Sequence, residues 1–285
     1  MNDITEGIRM FDEICKIGES TIQHGKANNR VYLLDLHIPD ISFIIPELDA
    51  LAKTNGYTKI IAKVPSFLLP EFILNDYVVE AYVPLFYKGE NDCAMVAKFL
   101  HDDRKQKPTR LLQSFSGLYK KGRNNNFKSL NPEFGIRVLT EKDAESASRV
   151  FREVFDSYPF PVFDPDYICS TIKNRQAIYY GIWEENNLVG ISTAETNFEK
   201  EYAEMTDFAV LPQFRGNGFA SQLLNFMEVD IKSKNIKTAY TIARIAEPGM
   251  NLTFIKGGYN YSGTLINNTN IGGDIESMNV FYKHI

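Results

Sequence analysis

The sequence is poor in cysteine. Cys15, Cys93 and Cys169 are its only three, odd in number and far apart. With no CxxC pair and no Cys/His spacing, neither a disulfide framework nor a zinc site can be read from it. Buried thiols in a reducing compartment are the expectation. Long apolar runs are missing too. Stretches such as Ser66-Phe-Leu-Leu-Pro70 fall far short of the ~20 residues that a membrane-spanning helix needs. The opening Met-Asn-Asp-Ile-Thr-Glu-Gly is acidic and has no apolar centre, so it does not read as a signal peptide. Positive charge is not in excess: 31 Lys and Arg against 36 Asp and Glu leave −5. That balance argues against nucleic acid or an anionic membrane as the main partner and permits a cationic substrate. No motif requires a metal. A soluble, cytoplasmic protein is expected.

What is present is ordinary globular material, 285 residues of which 44% are hydrophobic and 24% charged. At ~150 residues per domain the length predicts roughly two domains. A chain this long buries a core without a covalent or metal staple. Lys120-Lys-Gly-Arg-Asn-Asn-Asn126 is polar, basic and without apolar period, and reads as a linker. The expected division is an N-terminal α/β domain over 1–120, a linker over 121–132 and a second domain over 133–285.

In the first part, apolar spacing predicts strands at 31–36, 59–64, 77–87 and 94–99. Helices are predicted at 41–55 and 65–75, the first closed by Gly56. In the second part, a strand at 135–139 leads to a helix capped by Thr140, with Asp143 at the capping-box position. A short helix at 166–174 and a hairpin of 177–183 with 188–196 follow. A strand at 202–210, a helix at 217–234, a strand at 238–243, a helical turn at 250–256 and strands at 259–266 and 275–282 complete the order.

The most informative stretch is Glu204-Met-Thr-Asp207-Phe208-Ala209-Val210-Leu-Pro-Gln213-Phe214-Arg215-Gly216-Asn217-Gly218-Phe219-Ala220. A strand runs into a glycine loop, and the loop into a long amphipathic helix. The first turn of a helix carries unpaired N–H groups and a partial positive charge, and glycines let a phosphate approach that backbone. A dinucleotide loop would need G-x-G-x-x-G with an acid ending the next strand, and a P-loop would need Gly-Lys-Ser/Thr; neither is present.

The spacing Gln213-x-x-Gly216-x-Gly218, between the fourth strand and third helix of this order, resembles the acetyl-CoA loop of the GNAT acyltransferase superfamily. The resemblance implies an α/β fold whose C-terminal part is a GNAT domain, a mixed sheet flanked by helices. It implies that backbone amides of Gln213, Phe214, Arg215, Gly216, Asn217, Gly218, Phe219 and Ala220 hold the CoA pyrophosphate. Phe208, Ala209 and Val210 match the family segment whose backbone pairs with the pantetheine arm and polarises the thioester carbonyl. Glu204 falls in the register of the family's general base, which a protonated amine of pKa ≈ 10.4 requires. Asp207 and Glu195 are alternative bases or ammonium-binding groups. Strand alternation sets Glu204 and Asp207 on opposite faces unless a bulge intervenes. Many members carry a tyrosine acid before a Gly-aromatic pair. That pair is Gly258-Tyr259 here, but the tyrosine position reads Phe254, so Tyr259 or Tyr261 is a substitute acid, or water protonates the thiolate. Asn251 is a partner for the pantetheine or a helix cap.

Beyond that domain, three N-terminal segments resemble the N-terminal half of β-lysine acetyltransferases. They are Ser20-Thr-Ile-Gln-His24-Gly-Lys-Ala-Asn28-Asn-Arg30, the run 56–65 and the run 80–92. The end, Gly272-Gly-Asp-Ile-Glu276-Ser277-Met-Asn279-Val-Phe-Tyr-Lys283, looks like that family's C-terminal signature. The resemblance implies acetyl transfer from acetyl-CoA to the terminal amine of β-lysine, giving a zwitterionic compatible solute. Glu276, Asn279 and Arg30, with Ser277, Asn28 and His24, are candidate acceptor-binding residues. Another small amine or amino acid as acceptor, or a noncatalytic acetyl-CoA sensor, are the alternatives. The first domain's strand–helix–strand–helix–strand–strand tail echoes the second half of a GNAT domain, so a degenerate half-GNAT unit without a cofactor loop is expected there.

Overall fold

A computed structural model describes residues 11–122, 131, 133–156 and 158–285. Its centre is one continuous sheet. In chain order the first half gives β1 (Glu13–Ile17), β2 (Ser20–Gly25), β3 (Arg30–Asp35), α1 (Ile41–Asn55), β4 (Lys59–Pro65), α2 (Leu69–Ile73), β5 (Val78–Tyr87) and β6 (Asn91–Phe99). Then come α3 (Thr109–Lys121), β7 (Phe134–Val138), α4 (Ala144–Val154), α5 (Pro165–Lys173), β8 (Ala177–Glu184), β9 (Asn187–Asn197) and β10 (Tyr202–Val210). The chain closes with α6 (Phe219–Ser233), β11 (Thr238–Arg244), α7 (Pro248–Lys256), β12 (Asn260–Ile271) and β13 (Asp274–His284).

The strand order is β1-β2-β3-β4-β6-β5-β12-β13-β11-β10-β9-β8-β7. The two halves are copies of one topology. In the first, β1, β2 and β3 pair antiparallel in turn, β3 pairs parallel with β4, and β4–β6–β5 continue antiparallel. In the second, β8, β9 and β10 pair antiparallel, β10 pairs parallel with β11, and β11–β13–β12 continue antiparallel. The half-GNAT expectation is therefore met element for element, and extends further than the sequence indicated because β1 and β2 match β8 and β9. The first half has no counterpart of β7, α4 or α5 among the described residues.

The halves join where β5 meets β12, with Gly263 opposite Ala81. A Cβ on Gly263 would lie 2.0 Å from the Glu80 carbonyl oxygen, so only glycine permits this approach. The junction is held further along β12, where a bulge between Leu265 and Thr269 exposes successive carbonyls. Lys59 Nζ donates to Ile266 O at 2.8 Å, Arg104 Nε to Asn267 O at 2.6 Å and Arg30 Nη1 to Asn268 O at 2.6 Å. Asn28 Oδ1 accepts from Asn270 N at 2.7 Å. Three first-half cations thus each grip one carbonyl of the second half. Burial pushes the Lys59 ammonium down to about 8, against the pull of its partner Glu80.

The sequence-based element pattern holds over most of the chain, and local chemistry says why. Gly56 closes α1 in the left-handed region at φ 68°. Thr140 and Asp143 form the reciprocal capping box that leads into α4. Two differences stand out. The pattern predicts no strands over 13–25, where β1 and β2 form a hairpin. It also predicts no helix before the linker, whereas α3 occupies 109–121. Phe115 of α3 is buried against Tyr261 and Phe281, with ring centroids 4.9 and 5.8 Å apart. The helix therefore packs on the second half's core, although the expected first domain runs to residue 120. Most of the expected linker, 123–130 and 132, lies outside the described residues.

Each half has its own core. Ile44, Leu48, Ile60 and Phe72 belong to the first, under α1 and α2. In the second, Met205, Leu223, Met227 and Phe254 pack beneath α6 and α7, while Ala147, Phe151 and Ile191 pack beneath α4 on the other face. A further cluster spans the halves: Tyr32, Ile61 and Met95 meet Tyr202, Tyr240, Leu265 and Val280. No described helix is long and apolar enough to cross a membrane.

Candidate functional site

The loop after β10 has the shape the sequence implied. Gly216 and Gly218 adopt φ 85° and 79°, and nothing lies within 4 Å of where a Cβ would sit on either. Only glycine takes this conformation without strain. Phe219 turns its ring inward onto Phe134, at 4.8 Å, and so anchors the first turn of α6. Among the described residues, the backbone N–H groups of Gly216, Asn217, Gly218, Phe219 and Ala220 donate to no protein acceptor. Asn217 Nδ2 ties the loop to Phe214 O at 3.0 Å, and Arg215 Nε reaches Val210 O at 3.3 Å. Gln213 and Arg215 are exposed at the rim. Unpaired donors, open glycines and a helix start fit a pyrophosphate.

β10 and β11 pair only from Tyr202–Thr238 to Glu204–Tyr240. Beyond Glu204 the strands part, leaving Phe208, Ala209 and Val210 without a partner on the β11 side. On the other side Ala209 and Val210 still pair with Ile191 and Gly190 of β9. An extended ligand arm can add to that free edge as a strand would. Phe208 and Phe254, 5.6 Å apart and edge to face, close the floor of the gap.

A bulge interrupts β10 between Thr206 and Ala209, with Asp207 at φ 54°. This is the exception to strand alternation. Glu195 lies directly opposite Glu204 across the β9–β10 ladder, so both share one face, and the bulge lets Asp207 act on both. All three carboxyls are pushed upward. Burial is the first cause for Glu204, opposed by the Tyr240 hydroxyl and the Lys63 ammonium and reinforced by Asp207. For Glu195 crowding by protein comes first, then the charges of Glu204 and Asp207, and its pKa rises to about 8. The Glu195 side chain also reaches water. Burial raises Asp207 against the hydroxyls of Tyr158 and Thr206. Tyr158, arriving from the segment between α4 and α5, donates directly to Asp207.

The first half completes this site. Tyr240 OH donates to Glu204 Oε2 at 2.7 Å, and Lys63 Nζ donates to Tyr240 OH at 3.2 Å. Lys63 also lies 4.7 Å over the Tyr202 ring. A lysine of β4 is thus connected through one hydroxyl to the carboxylate in the base register. Nothing in the sequence marks Lys63, Tyr240 or Tyr158. Their strand positions were legible, but the closeness of two strands nearly 180 residues apart was not.

Other candidates are placed elsewhere. Tyr259 is buried on the α6 face, beside Glu228 and under Lys283 at 5.8 Å; it does not reach the carboxylates. Tyr261 is likewise engaged, its hydroxyl paired with Thr264 at 2.6 Å. Phe254 is buried among Phe208, Tyr259 and Phe281. Asn251 is fully buried and caps its surroundings: Nδ2 donates to Arg244 O at 2.8 Å and Oδ1 accepts from Asn279 Nδ2 at 2.7 Å. That uses Asn279 as well, which also accepts from Thr264. Glu276 forms a two-pronged pair with Arg244, at 2.9 and 2.5 Å. Ser277 holds the β12 bulge through Asn267 N at 2.8 Å. His24 pairs with the Tyr57 hydroxyl at 3.1 Å. Arg30 is buried on the site's side of the junction, near enough for its charge to act on Glu204. Among the described residues, no group of three His, Cys, Asp or Glu is arranged to hold a metal.

A glycine cradle at a helix start, a splayed strand pair and a carboxylate in the base register define a GNAT-type acetyl-CoA-dependent N-acetyltransferase. Residues 144–248 match the model of the acetyltransferase (GNAT) family. The chain is 35% identical to beta-lysine N(6)-acetyltransferase of Methanococcus maripaludis over 96% of its own length and 99% of that protein's. It is 31% identical to N-acetyltransferase YodP of Bacillus subtilis, over 93% and 96%. A beta-lysine N(6)-acetyltransferase of Methanosarcina mazei matches at 27%, over 83% and 94%. The chain belongs to the family of beta-lysine N(6)-acetyltransferases.

Proposed function

We propose that this protein transfers the acetyl group of acetyl-CoA to the terminal amine of β-lysine. The product, Nε-acetyl-β-lysine, keeps one ammonium and one carboxylate and carries no net charge, as suits a cytoplasmic compatible solute accumulated under osmotic stress. The observation that carries the reading is the acidic face of Glu204, Glu195 and Asp207 beside the splayed end of β10. It would attract an acceptor with two ammonium groups and hold its terminal ammonium where the thioester arrives. The match over nearly the whole length of two beta-lysine N(6)-acetyltransferases supports the acceptor.

In this reading the free N–H groups from Gly216 to Ala220 hold the pyrophosphate, with Gln213, Phe214 and Arg215 shaping the loop. The unpaired edge of Phe208, Ala209 and Val210 holds the pantetheine, and one of its amides faces the thioester oxygen. Glu204 takes the proton of the attacking amine. Its raised pKa brings it nearer to that of its task, while Lys63 and Tyr240 oppose part of the rise. Glu195 and Asp207 hold the ammonium before deprotonation. Nitrogen attack forms the C–N bond, the C–S bond breaks, and water supplies the thiolate's proton, a reading supported by the burial of Tyr259 beside Glu228. Asn251 and Phe254 support the gap from below rather than touching the cofactor. Glu276 and Asn279 act through the packing of the β12–β13 hairpin.

The test is thiol release from acetyl-CoA with β-lysine, α-lysine, ornithine, putrescine, spermidine and a lysine peptide. Preference for β-lysine upholds the reading. Preference for another amine discards the acceptor, and tight acetyl-CoA binding without turnover replaces the enzyme by a sensor.

A further inference from the structure

Where the halves join, three buried side-chain atoms lack partners among the described residues: Arg30 Nε, Gln23 Nε2 and Asn268 Oδ1. Their residues are 4%, 1% and 1% exposed. They form one cluster. Arg30 Nη2 donates to Gln23 Oε1 at 3.4 Å, Arg30 Nη1 donates to Thr269 Oγ1 at 3.1 Å, and Asn268 Nδ2 donates to the same Thr269 oxygen at 3.2 Å. The bond from Arg30 fixes which way the Gln23 amide points, so its NH2 group is the one left over.

Buried polar groups are nearly always satisfied, and each orphan costs stability. Three in one place, two of them N–H donors and one an oxygen acceptor, is a pattern with chemical content. The surroundings carry positive charge: Arg30, Lys59 and Arg104 act on one another, and Glu80 and Asp12 are the nearest balancing acids. Tyr32 lies beneath the Arg30 guanidinium at 5.1 Å and belongs to the same cluster as Tyr240, whose hydroxyl donates to Glu204. The cluster and the base are thus two ends of one region, lined between them by an aromatic ring.

We propose that Arg30 Nε and Gln23 Nε2 bind the carboxylate of the acceptor and Asn268 Oδ1 accepts from its inner ammonium, so that the first half reads the amino-acid end while Glu204 receives the terminal amine. This rests on the acetyltransferase reading and deepens it, because it assigns the acceptor class as a zwitterionic amino acid with a distal amine. The methylene chain between the two ends lies along Tyr32. The degenerate half then has a function that its lost cofactor loop does not supply.

The experiment compares β-lysine with putrescine, which has the same spacing between its two amines and no carboxylate. Gln23→Glu keeps the shape and strengthens the pair with Arg30, but sets an oxygen where the donor stood. It is expected to raise KM for β-lysine about 10- to 100-fold, with kcat and the putrescine KM nearly unchanged. Asn268→Leu is expected to raise KM for both diamines. Melting temperature verifies that each variant is folded, and calorimetric binding of the two amines gives the same comparison without turnover. Equal effects of Gln23→Glu on both amines, or none on β-lysine, overturn the assignment and make the cluster structural. If the wild type prefers another amino acid to β-lysine, the acceptor reading fails separately, and the subsite is read on that amino acid against its decarboxylated amine.

Discussion

Glu204 and Glu195 stand directly opposite one another on adjacent antiparallel strands, with their side chains on one face. Like charges so placed destabilise a sheet. Here Asp207, brought in by the bulge, adds a third. Such an arrangement is retained where a cation is bound. Lys63 and Arg30 of the first half offset part of the repulsion at Glu204.

Replacing Glu204 by Gln removes the proton acceptor and keeps the shape. Turnover is expected to fall about 10²- to 10⁴-fold, while acetyl-CoA affinity stays within about twofold, since the cradle is built from main-chain groups. Steady-state thiol release and equilibrium binding of acetyl-CoA together check this.

The cradle depends on Gly218 at φ 79°. Gly218→Val puts a branched side chain in the left-handed region, at about 1–2 kcal/mol, and fills the space in front of the free N–H groups. The expected outcome is a KM for acetyl-CoA raised at least about tenfold, with the KM for the amine unaltered. A distortion spread over the whole site would raise both.

Lys63 touches no reacting atom in this account, yet its charge lowers the Glu204 pKa through Tyr240. Lys63→Met removes that charge, so Glu204 holds its proton to higher pH. The acidic limb of the kcat/KM profile is expected to move upward. An unshifted limb with lower activity throughout would mean that Lys63 is only a packing residue.

Glu195 gives a stability signature. Its folded pKa lies above the ordinary carboxylate value, so the folded state holds this proton more tightly than the unfolded chain. That contribution is complete below the ordinary value and is lost as pH rises through the raised folded value. Glu195→Gln should therefore match the wild type in melting temperature at low pH and exceed it increasingly as pH rises above the ordinary carboxylate range. A constant offset at every pH would contradict the shift.

Local chemistry made much of this legible in advance. The capping pair Thr140 and Asp143, the glycine stop at Gly56 and the loop from Gln213 to Gly218 each act over a few residues, and sequence spacing records such interactions directly. The repeat of the half-GNAT topology was legible from element order. Tertiary selection was not. Alternation separates Glu204 and Asp207 unless a bulge intervenes, and the left-handed Asp207 that makes the bulge leaves no mark in sequence. Asn251, Asn279 and Glu276 have polar types that suit a ligand, and the fold spends them on one another and on Arg244. Lys63, Tyr240 and Gln23 gain their interest only because the sheet brings the two halves together, and no period within one strand encodes that.

The most direct test is the position of the acetyl group after reaction of the purified protein with acetyl-CoA and β-lysine, read by NMR of the product. The account predicts acetylation at the terminal nitrogen alone, with the inner ammonium left free for Asn268. Acetylation at the inner nitrogen, or no acetylated β-lysine under conditions where another amine turns over, would contradict it.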